Sequence, residues 1–491
     1  MRQLLIVIFL IHFIADAQPY FVTTYGDQND EIPLCIKQVG SSYFIGQKYS
    51  NDQLSIWRYA KLLKMDGSGN IQSGITFPEV FGQYSDIQCI FPLNESEFLT
   101  IGGYKSNDLP YCQIWLMKLD TSLRIIWEKK YMTNRPFTSN IALVENNEGN
   151  ILIGSTLTTG DPNHLHSLFF LEITKEGDSL NSNYIINGNP QTTKMRTLNW
   201  INGQYKAFVS GFESYTGNSS ASQILQLDEN LLLVEVRPIP NWHDIYMTTE
   251  RINNNSYFLT SMVYISPYYY DVAISKFDTI ENTLAFNHAG TTGDVPDYSA
   301  WKRCMSIANV NSIYTGGTGK DNGDFYSCNE SMRKVIMLSN YDSLLNCRWT
   351  CFYGSDTACY TLSTMDATSD GGCILAGMFY TPSRPENMLD VIMIKVDSLG
   401  LITGIHDKPT ITAHQAIVYP NPGNDNIIIQ SGPQICSSEF RLYNTSGQLV
   451  NHKILKNTNE QSDVTSLPKG VYPWKIIHQG KTIEQGKWVK Q

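Results

Sequence analysis

YFIGQ (43–47), FLTIGG (98–103), ILIGS (151–155), AFVSG (207–211), YFLTS (257–261), IYTGG (313–317) and CILAG (373–377) are seven versions of one phrase, an apolar run ending on a small residue. Measured at Gly46, Gly102, Gly154, Gly211, Ser261, Gly316 and Gly377, the phrase recurs at steps of 50 to 61 residues. A period of this length marks a repeat architecture, and it has to be read before any single residue is called special.

A second phrase follows each first one. LLKMDGSGN (62–70), LMKLDTSLR (116–124), FLEITKEGD (170–178), ILQLDENLL (224–232), ISKFDTIEN (274–282), LSNYDSLLN (338–346) and MIKVDSLGL (393–401) alternate apolar and polar residues into a turn. Such alternation describes a half-buried strand. Asp66, Asp120, Asp228, Asp278, Asp342 and Asp397, with Thr174 in the third copy, stand where a short oxygen side chain bonds the turn backbone. Recurrence at one place per repeat makes this row structural rather than a ring of catalytic acids.

Apolar runs such as IQCIFPL (87–93) and IIWEKKY (125–131) flank the two phrases, giving four strands per repeat. Seven such repeats predict an all-β fold, a seven-bladed β-propeller whose blades bury their faces against one another. FVTTYGD (21–27) reads as a fourth strand with no blade before it. Residues 21–25 are therefore expected to pair with the blade built from residues 362–405 and close the ring, removing an exposed edge.

Composition agrees with short strands and many turns: aromatics are 12%, Tyr occurs 28 times and charged residues are only 17%. A net charge of −10 leaves no basic footprint for nucleic acid or an anionic bilayer. Met1-Arg2, an apolar run over 4–14 and Ala15-Asp16-Ala17 read as a secretory signal peptide, residues 1–17, cleaved between Ala17 and Gln18. That run is short of the roughly 20 apolar residues a membrane span needs, and no later stretch qualifies, so no transmembrane segment is expected.

Catalytic signatures are absent. No His is followed by Glu, no Ser sits in G-x-S-x-G, and GGTGKD (316–321) ends like a phosphate loop without its first Gly or its Ser/Thr. His164-Leu165-His166 could offer two imidazoles to a metal but has no visible third ligand, so a solvated loop is expected. Asp321-Asn322-Gly323-Asp324 and the stretch from Asp27 to Glu31 carry oxygen ligands of the kind calcium takes, without completing a calcium loop. Ordinary turns are expected there; no metal or cofactor is assigned, a structural calcium being the one candidate. Six of the ten cysteines fall between Cys304 and Cys373; some are expected to form disulfides in an exported chain, with the pairing open. Cys347 and Cys351 lack a partner pair that would make a zinc set. Trp57, Trp115, Trp242 and Trp301, with Tyr268-Tyr269-Tyr270, are the aromatic candidates for glycan or protein contact. The sequons at Asn94, Asn218, Asn254, Asn329 and Asn444 read as surface turns.

After residue 405 the repeat stops. IIIQ (427–430), FRLYN (440–444), QLVNHKI (448–454), VYPWKII (471–477) and KWVK (487–490) predict a small antiparallel Ig-like sandwich. Pro420 and Pro422 stiffen its start, Gly447 and Gly470 suit turns that need an unusual φ, and Pro473 is expected at an edge or bulge. The boundaries expected are a propeller over 18–408, a linker over 409–417 and the sandwich over 418–491.

Tyr419-Pro420-Asn421-Pro422, Leu442-Tyr443-Asn444 with Gly447, Asp463 and Leu467 with Gly470 and Tyr472, and Gly486 before the closing basic strand occur in order. In this the segment resembles the type A C-terminal sorting domain of the type IX (Por) secretion system of the Bacteroidetes. At the level of the whole repeat, with residues 349–377 as the nearest copy, the propeller resembles secreted propellers common in that phylum. The resemblance implies the type IX machinery as a partner, export across the outer membrane, and secretion or attachment at the cell surface. The leading expectation is a non-enzymatic module that binds an extracellular protein or glycan through one loop face. A secreted glycoside or peptide hydrolase, with carboxylates from separate blades meeting near the axis, is the alternative.

Overall fold

The computed structural model describes residues 20–490 apart from 27–28, 51–58, 78–83, 107, 136, 159–165, 187–192, 211–221, 241–242, 244–245, 254, 267–268, 292–294, 322–327, 329–332, 356, 383–388, 403–415, 420–422, 432–437, 458 and 479–480. The chain divides into two units, Met1–Thr410 and Ile411–Gln491.

Among the described residues the first unit is built of seven antiparallel sheets and has a β-propeller fold. The third sheet shows the plan: Phe137–Glu145, Ile151–Thr158, Ser167–Ile173 and Ser179–Ile186 lie side by side in chain order. In the second and sixth sheets the first strand is split, as Tyr84–Ser85 with Cys89–Pro92 and as Tyr298–Ser299 with Met305–Asn309. The seventh sheet breaks chain order. Cys359–Ala367, Cys373–Tyr380 and Asp390–Val396 are completed by Phe21–Tyr25, with Phe21 opposite Lys395 and Tyr25 opposite Val391.

One apolar cluster fills the gap between each sheet and the next. Phe44 and Leu62 of the first sheet meet Phe98 and Trp115 of the second; Leu152 and Phe170 of the third meet Leu198 and Leu225 of the fourth. The series closes on itself, because Tyr43 and Ile45 of the first sheet pack with Ile374, Val391 and Met393 of the seventh. Phe21 and Tyr25 pack against this last cluster, so the N-terminal strand belongs to one sheet and buries itself on another.

The small residue of the repeated phrase has its reason in these gaps. A Cβ at Gly154 would stand 2.8 Å from the Met195 methyl of the next sheet, and one at Gly316 2.7 Å from a Leu362 methyl. Close-packed interiors leave no slack for it.

The second phrase ends in one turn, built the same way each time. Asp278 Oδ1 accepts from the Ile280 and Asn282 amides at 3.0 and 2.9 Å, and Asp66, Asp120, Asp228, Asp342 and Asp397 repeat the pattern. Thr174 Oγ1 makes the single bond open to a hydroxyl, 3.1 Å from the Asp178 amide. Three residues after the acid the backbone turns left-handed, which for a residue with a Cβ costs about 1–2 kcal/mol. Leu123, Leu231 and Leu345 accept that strain because their side chains plug the gap beside the neighbouring sheet, and burial of a leucine recovers roughly 1.5–3 kcal/mol. Where Gly177 and Gly400 hold the place, the preceding sheet's Trp127 and Trp349 rings cover it instead.

These turns are also handed from sheet to sheet. Asn183 Nδ2 donates to Leu231 O at 2.9 Å, Asn287 Nδ2 to Leu345 O at 2.8 Å, and Tyr353 Oη to Gly400 O at 2.8 Å. At the fourth-to-fifth gap Glu281 occupies the left-handed position and takes Lys206 and Arg237 as partners, the Lys206–Glu281 pair being almost wholly buried.

The second unit is a sandwich of a three-stranded sheet (Ala416–Tyr419, Asn426–Ser431, Asn459–Asp463) and a four-stranded one (Leu449–Ile454, Glu439–Tyr443, Gly470–His478, Lys481–Lys490). Its core is Ile427, Ile429, Phe440, Leu442, Tyr472, Trp474, Ile476 and Trp488. The strands Ala416–Tyr419 and Asn459–Asp463 were not legible as strands, being short and polar or interrupted by the Pro-Asn-Pro step. Pro473 sits on an inner strand, opposite Lys487 on one side, while pairing with Glu439–Tyr443 stops at Trp474. Its missing donor is thus tolerated where one neighbour has ended.

Candidate functional site

The first strands of the seven sheets surround a cavity of about 390 Å³. The charged side chains on its wall are mostly cationic: Lys37, Arg196, Arg251, Lys302 and Arg303 against Glu145 and Glu250.

The two carboxylates are engaged. Glu145 pairs with Lys175 and Glu250 with Arg303. Among the cations, Lys37 pairs with Asp366 of the seventh sheet, tying the first sheet to the last. Lys302 differs. Its Nζ lies 3.3 Å from Gln88 Oε1 and 5.0 Å from the centre of the Trp301 ring, and among the described residues no carboxylate is within ion-pair reach. Burial lowers its pKa, and nearby Arg196 adds to this, while Asp86 pulls the other way. Asp86 itself is committed to the Gly103 amide and to Tyr84 and Gln88. The thiols of Cys35 and Cys89 beside the cavity are held neutral by burial, that of Cys89 pushed up to about 12.

Two polar groups on the first strand of the fourth sheet lack partners. Asn199 Nδ2 and Trp200 Nε1, both on residues that line the cavity, are buried donors without an acceptor. Elsewhere on the first strands the polar groups are used up in ties between neighbouring sheets: the Met195 amide to Thr156 Oγ1, the Leu362 amide to Thr318 Oγ1, the Ile141 amide to Gln88 Oε1. A cavity lined by five cations against two paired carboxylates can receive an anionic ligand.

The aromatic candidates separate. Trp115 is core, packed on Phe77 and Tyr104, with its indole N–H on Glu128. Trp301 remains accessible at the edge of a small pocket with Tyr246 and Tyr298, and Lys48 and Lys302 lie over its ring. Trp57, Trp242 and Tyr268 lie outside the described residues, as do His164 and residues 322–324.

Other expectations change on contact with the structure. Asp30 and Glu31 belong to a buried strand rather than a turn, Asp30 accepting the Leu389 amide and Glu31 pairing with Lys61. Asp321 is buried against Lys334. His166 Nδ1 lies 3.2 Å from Thr193 O. Cys328 and Cys359 form a disulfide, whereas Cys304, Cys347, Cys351 and Cys373 remain thiols. Sequence spacing missed this pair because its Cα atoms, 5.5 Å apart, belong to neighbouring repeats, Cys359 opening the first strand of the seventh sheet. A further group, invisible in sequence, is Asp271 with Asp297: a Cβ on Gly290 would touch both carboxylates. Asp271 bonds His288 at 2.6 Å, and Asp297, its pKa raised by burial, accepts from Thr291 and from the Lys320 amide.

In the sandwich, Leu442 and Tyr472 are core, the Tyr472 hydroxyl donating to Pro468 O at 2.6 Å, and Tyr443 is half-buried. Asn444 caps a turn of the propeller's type, accepting from the Ser446 and Gln448 amides, with Gly447 left-handed at φ 79°. Asp463 caps Thr465, and the Leu467 amide bonds Val464 O. Gly486 faces Trp474, whose indole would meet any Cβ there at 2.5 Å. Gly470 departs from expectation: it starts a strand without a left-handed φ. Tyr419 ends a strand, and Pro420, Asn421 and Pro422 lie outside the described residues.

Residues 417–491 match the family described as Secretion system C-terminal sorting domain. This segment is a type IX sorting domain, and the chain is a type IX-exported protein, secreted or at the cell surface. No curated protein matches the chain in sequence. Among solved structures it is similar to the β-propeller domain of the Trilobed protease from Pyrococcus furiosus (9% identity, 75% of this chain and 95% of that one, TM-score 0.43). It is likewise similar to the acylaminoacyl peptidase of Pyrococcus horikoshii (10%, 82% and 57%, TM-score 0.42) and to the polysaccharide lyase Uly1 (8%, 74% and 90%, TM-score 0.42). No described helix is long and apolar enough to cross a membrane.

Proposed function

We propose that this protein is a non-enzymatic binding module for an extracellular macromolecule or glycan, delivered by the type IX machinery. One observation carries the binding reading: five cationic side chains line the axial cavity against two carboxylates, each of which is paired with a cation. General acid–base hydrolysis needs two carboxyl groups facing one bond with their protonation states set apart. Glu145 and Glu250 do not offer that. A hydrolase would draw instead on Asp271 and Asp297, which crowd one spot near Gly290.

Residues 1–17 act as the Sec signal, with cleavage between Ala17 and Gln18, and residues 418–491 then address the folded propeller to the outer membrane. Leu442, Tyr472, Gly447 and Gly486 serve by holding the sandwich in shape, leaving the exposed turns at Asn444 and Asp463 for the machinery to read.

A glycan array and a pull-down with the full chain test the binding reading. Selective retention of a glycan or a surface protein is expected. Turnover of a glycan or peptide panel that Asp297→Asn abolishes would replace it with hydrolysis. Deleting residues 418–491 in the producing cell should leave the propeller in the periplasm, checked by fractionation and surface labelling; surface display of the truncated chain would sink the sorting role.

A further inference from the structure

A row of aromatic rings leads to the cationic cavity, and it names a ligand class for the binding reading, on which this inference rests. The row starts on the fifth sheet, beside the hairpin between Ser256–Ser266 and Tyr269–Asp278. There Tyr264 is 51% exposed, and its ring centre stands 5.3 Å from that of Tyr270. Tyr270 stands 5.9 Å from Tyr298, which opens the split first strand of the sixth sheet. Tyr298 shares the small pocket with Tyr246 and Trp301, and the Arg196 guanidinium lies 5.5 Å from the centre of the Tyr246 ring. Arg196 in turn lines the axial cavity, so four tyrosines connect an exposed hairpin to the cationic wall. Tyr246 is held where a bulky residue rarely goes. Its backbone is left-handed at φ 60°, and its carbonyl accepts the Ser299 hydroxyl at 3.0 Å and the Cys304 thiol at 3.2 Å. Surroundings that over-determine such a conformation are characteristic of ligand-holding positions.

Charge divides along the row. Beside its tyrosines the carboxylates are engaged, Asp321 with Lys334, Asp271 with His288, and Asp297 with Thr291 and the Lys320 amide. At its inner end the rings carry cations, Arg196 on Tyr246 and both Lys48 and Lys302 on Trp301. The core of a protein interface is depleted of charge, so rings interleaved with guanidinium and ammonium groups suit a polar chain better than a protein surface. Sugar units present an apolar C–H face to a ring and hydroxyls to a phenol, and an arginine fork matches a carboxylate. We infer that this row binds a linear acidic glycan, its sugar rings lying along Tyr264, Tyr270 and Tyr298 and the carboxylate of its innermost unit at Arg196.

Trigalacturonate is the probe, titrated calorimetrically into the full chain. It should bind about tenfold or more tightly than cellotriose, which lacks the carboxylates, and than galacturonate, which is too short to follow the row. Tyr264→Ala should weaken trigalacturonate severalfold while melting as wild type does, because the position is exposed. Arg196→Gln should weaken it about tenfold or more. Wild-type chain that fails to bind trigalacturonate overturns the inference, and so does cellotriose binding as tightly. Wild-type affinity in Tyr264→Ala removes the row even should Arg196→Gln fold poorly, and wild-type affinity in a folded Arg196→Gln removes the acidic contact. Retention of another glycan or a surface protein that both substitutions leave intact would discard this site and keep the binding reading. A chain that retains nothing from the array or the pull-down, and no trigalacturonate, would discard the reading itself.

Discussion

The two ends of the propeller's sheets obey different rules. At one end the chain turns between first and second or third and fourth strands, through connections such as 40–41, 66–70, 202–203 and 342–346. Short oxygen side chains cap the turns between third and fourth strands, where in most copies a buried leucine or a stacked ring fills the left-handed position and the neighbouring sheet holds several of the turn carbonyls. At the other end the connections differ from sheet to sheet, including 239–247, 320–334 and 381–389, and no residue recurs. The disulfide, the Asp271–His288–Asp297 group and the Trp301 pocket all belong to this second end. Repetition at the first end is what makes seven sheets stack alike, and freedom from repetition at the second is what leaves room for a site.

Removing residues 18–27 should have the largest effect, because the strand Phe21–Tyr25 serves both ends. Its loss takes away three partly buried apolar side chains and bares an edge, roughly 5 kcal/mol or more. A melt at the wild-type temperature would show that the ring is held without it.

Acid should find the irregular end first. His243, in the connection 239–247, is buried and neutral between Ser261 and Ser275 hydroxyls, each at 2.7 Å, and burial lowers its pKa from 6.5 to about 3. Between those values the unfolded chain takes up a proton that the folded chain refuses, so this stabilisation is complete above pH 6.5 and declines as pH falls toward 3. At pH 5 the loss is about 2 kcal/mol. Denaturant titrations at pH 7.5 and 5 should differ less for His243→Gln than for wild type, and amide exchange at pH 5 should rise first around residues 239–247. Earlier opening of the capped turns would reverse the comparison.

The smallest effects separate the ends directly. Asp278→Ala removes three turn bonds and should cost about 1–2 kcal/mol by denaturant melt. Four Gly/Ser residues inserted after Asp108, in the connection 106–112, should cost only about 0.4 kcal/mol, since closure entropy grows slowly with loop length. Equal costs would mean that both ends are equally tuned.

The sequence alone determined the repeat, the strand alternation, the acid at each capped turn, the closing role of residues 21–25 and the sorting segment, because each is a local pattern that physical chemistry ties to local structure. It could not show that Trp115 is core while Trp301 lines a pocket, that Gly470 needs no special φ, or that Leu123, Leu231 and Leu345 are plugs. Those depend on what the adjoining sheet brings opposite. The axial site lay furthest out of reach. Lys37, Arg196, Arg251 and Lys302 come from different repeats and follow no spacing, and only closure of the sheets around one cavity brings them to one wall. Burial and pairing are properties of the assembled ring, and they decide the chemistry at its centre.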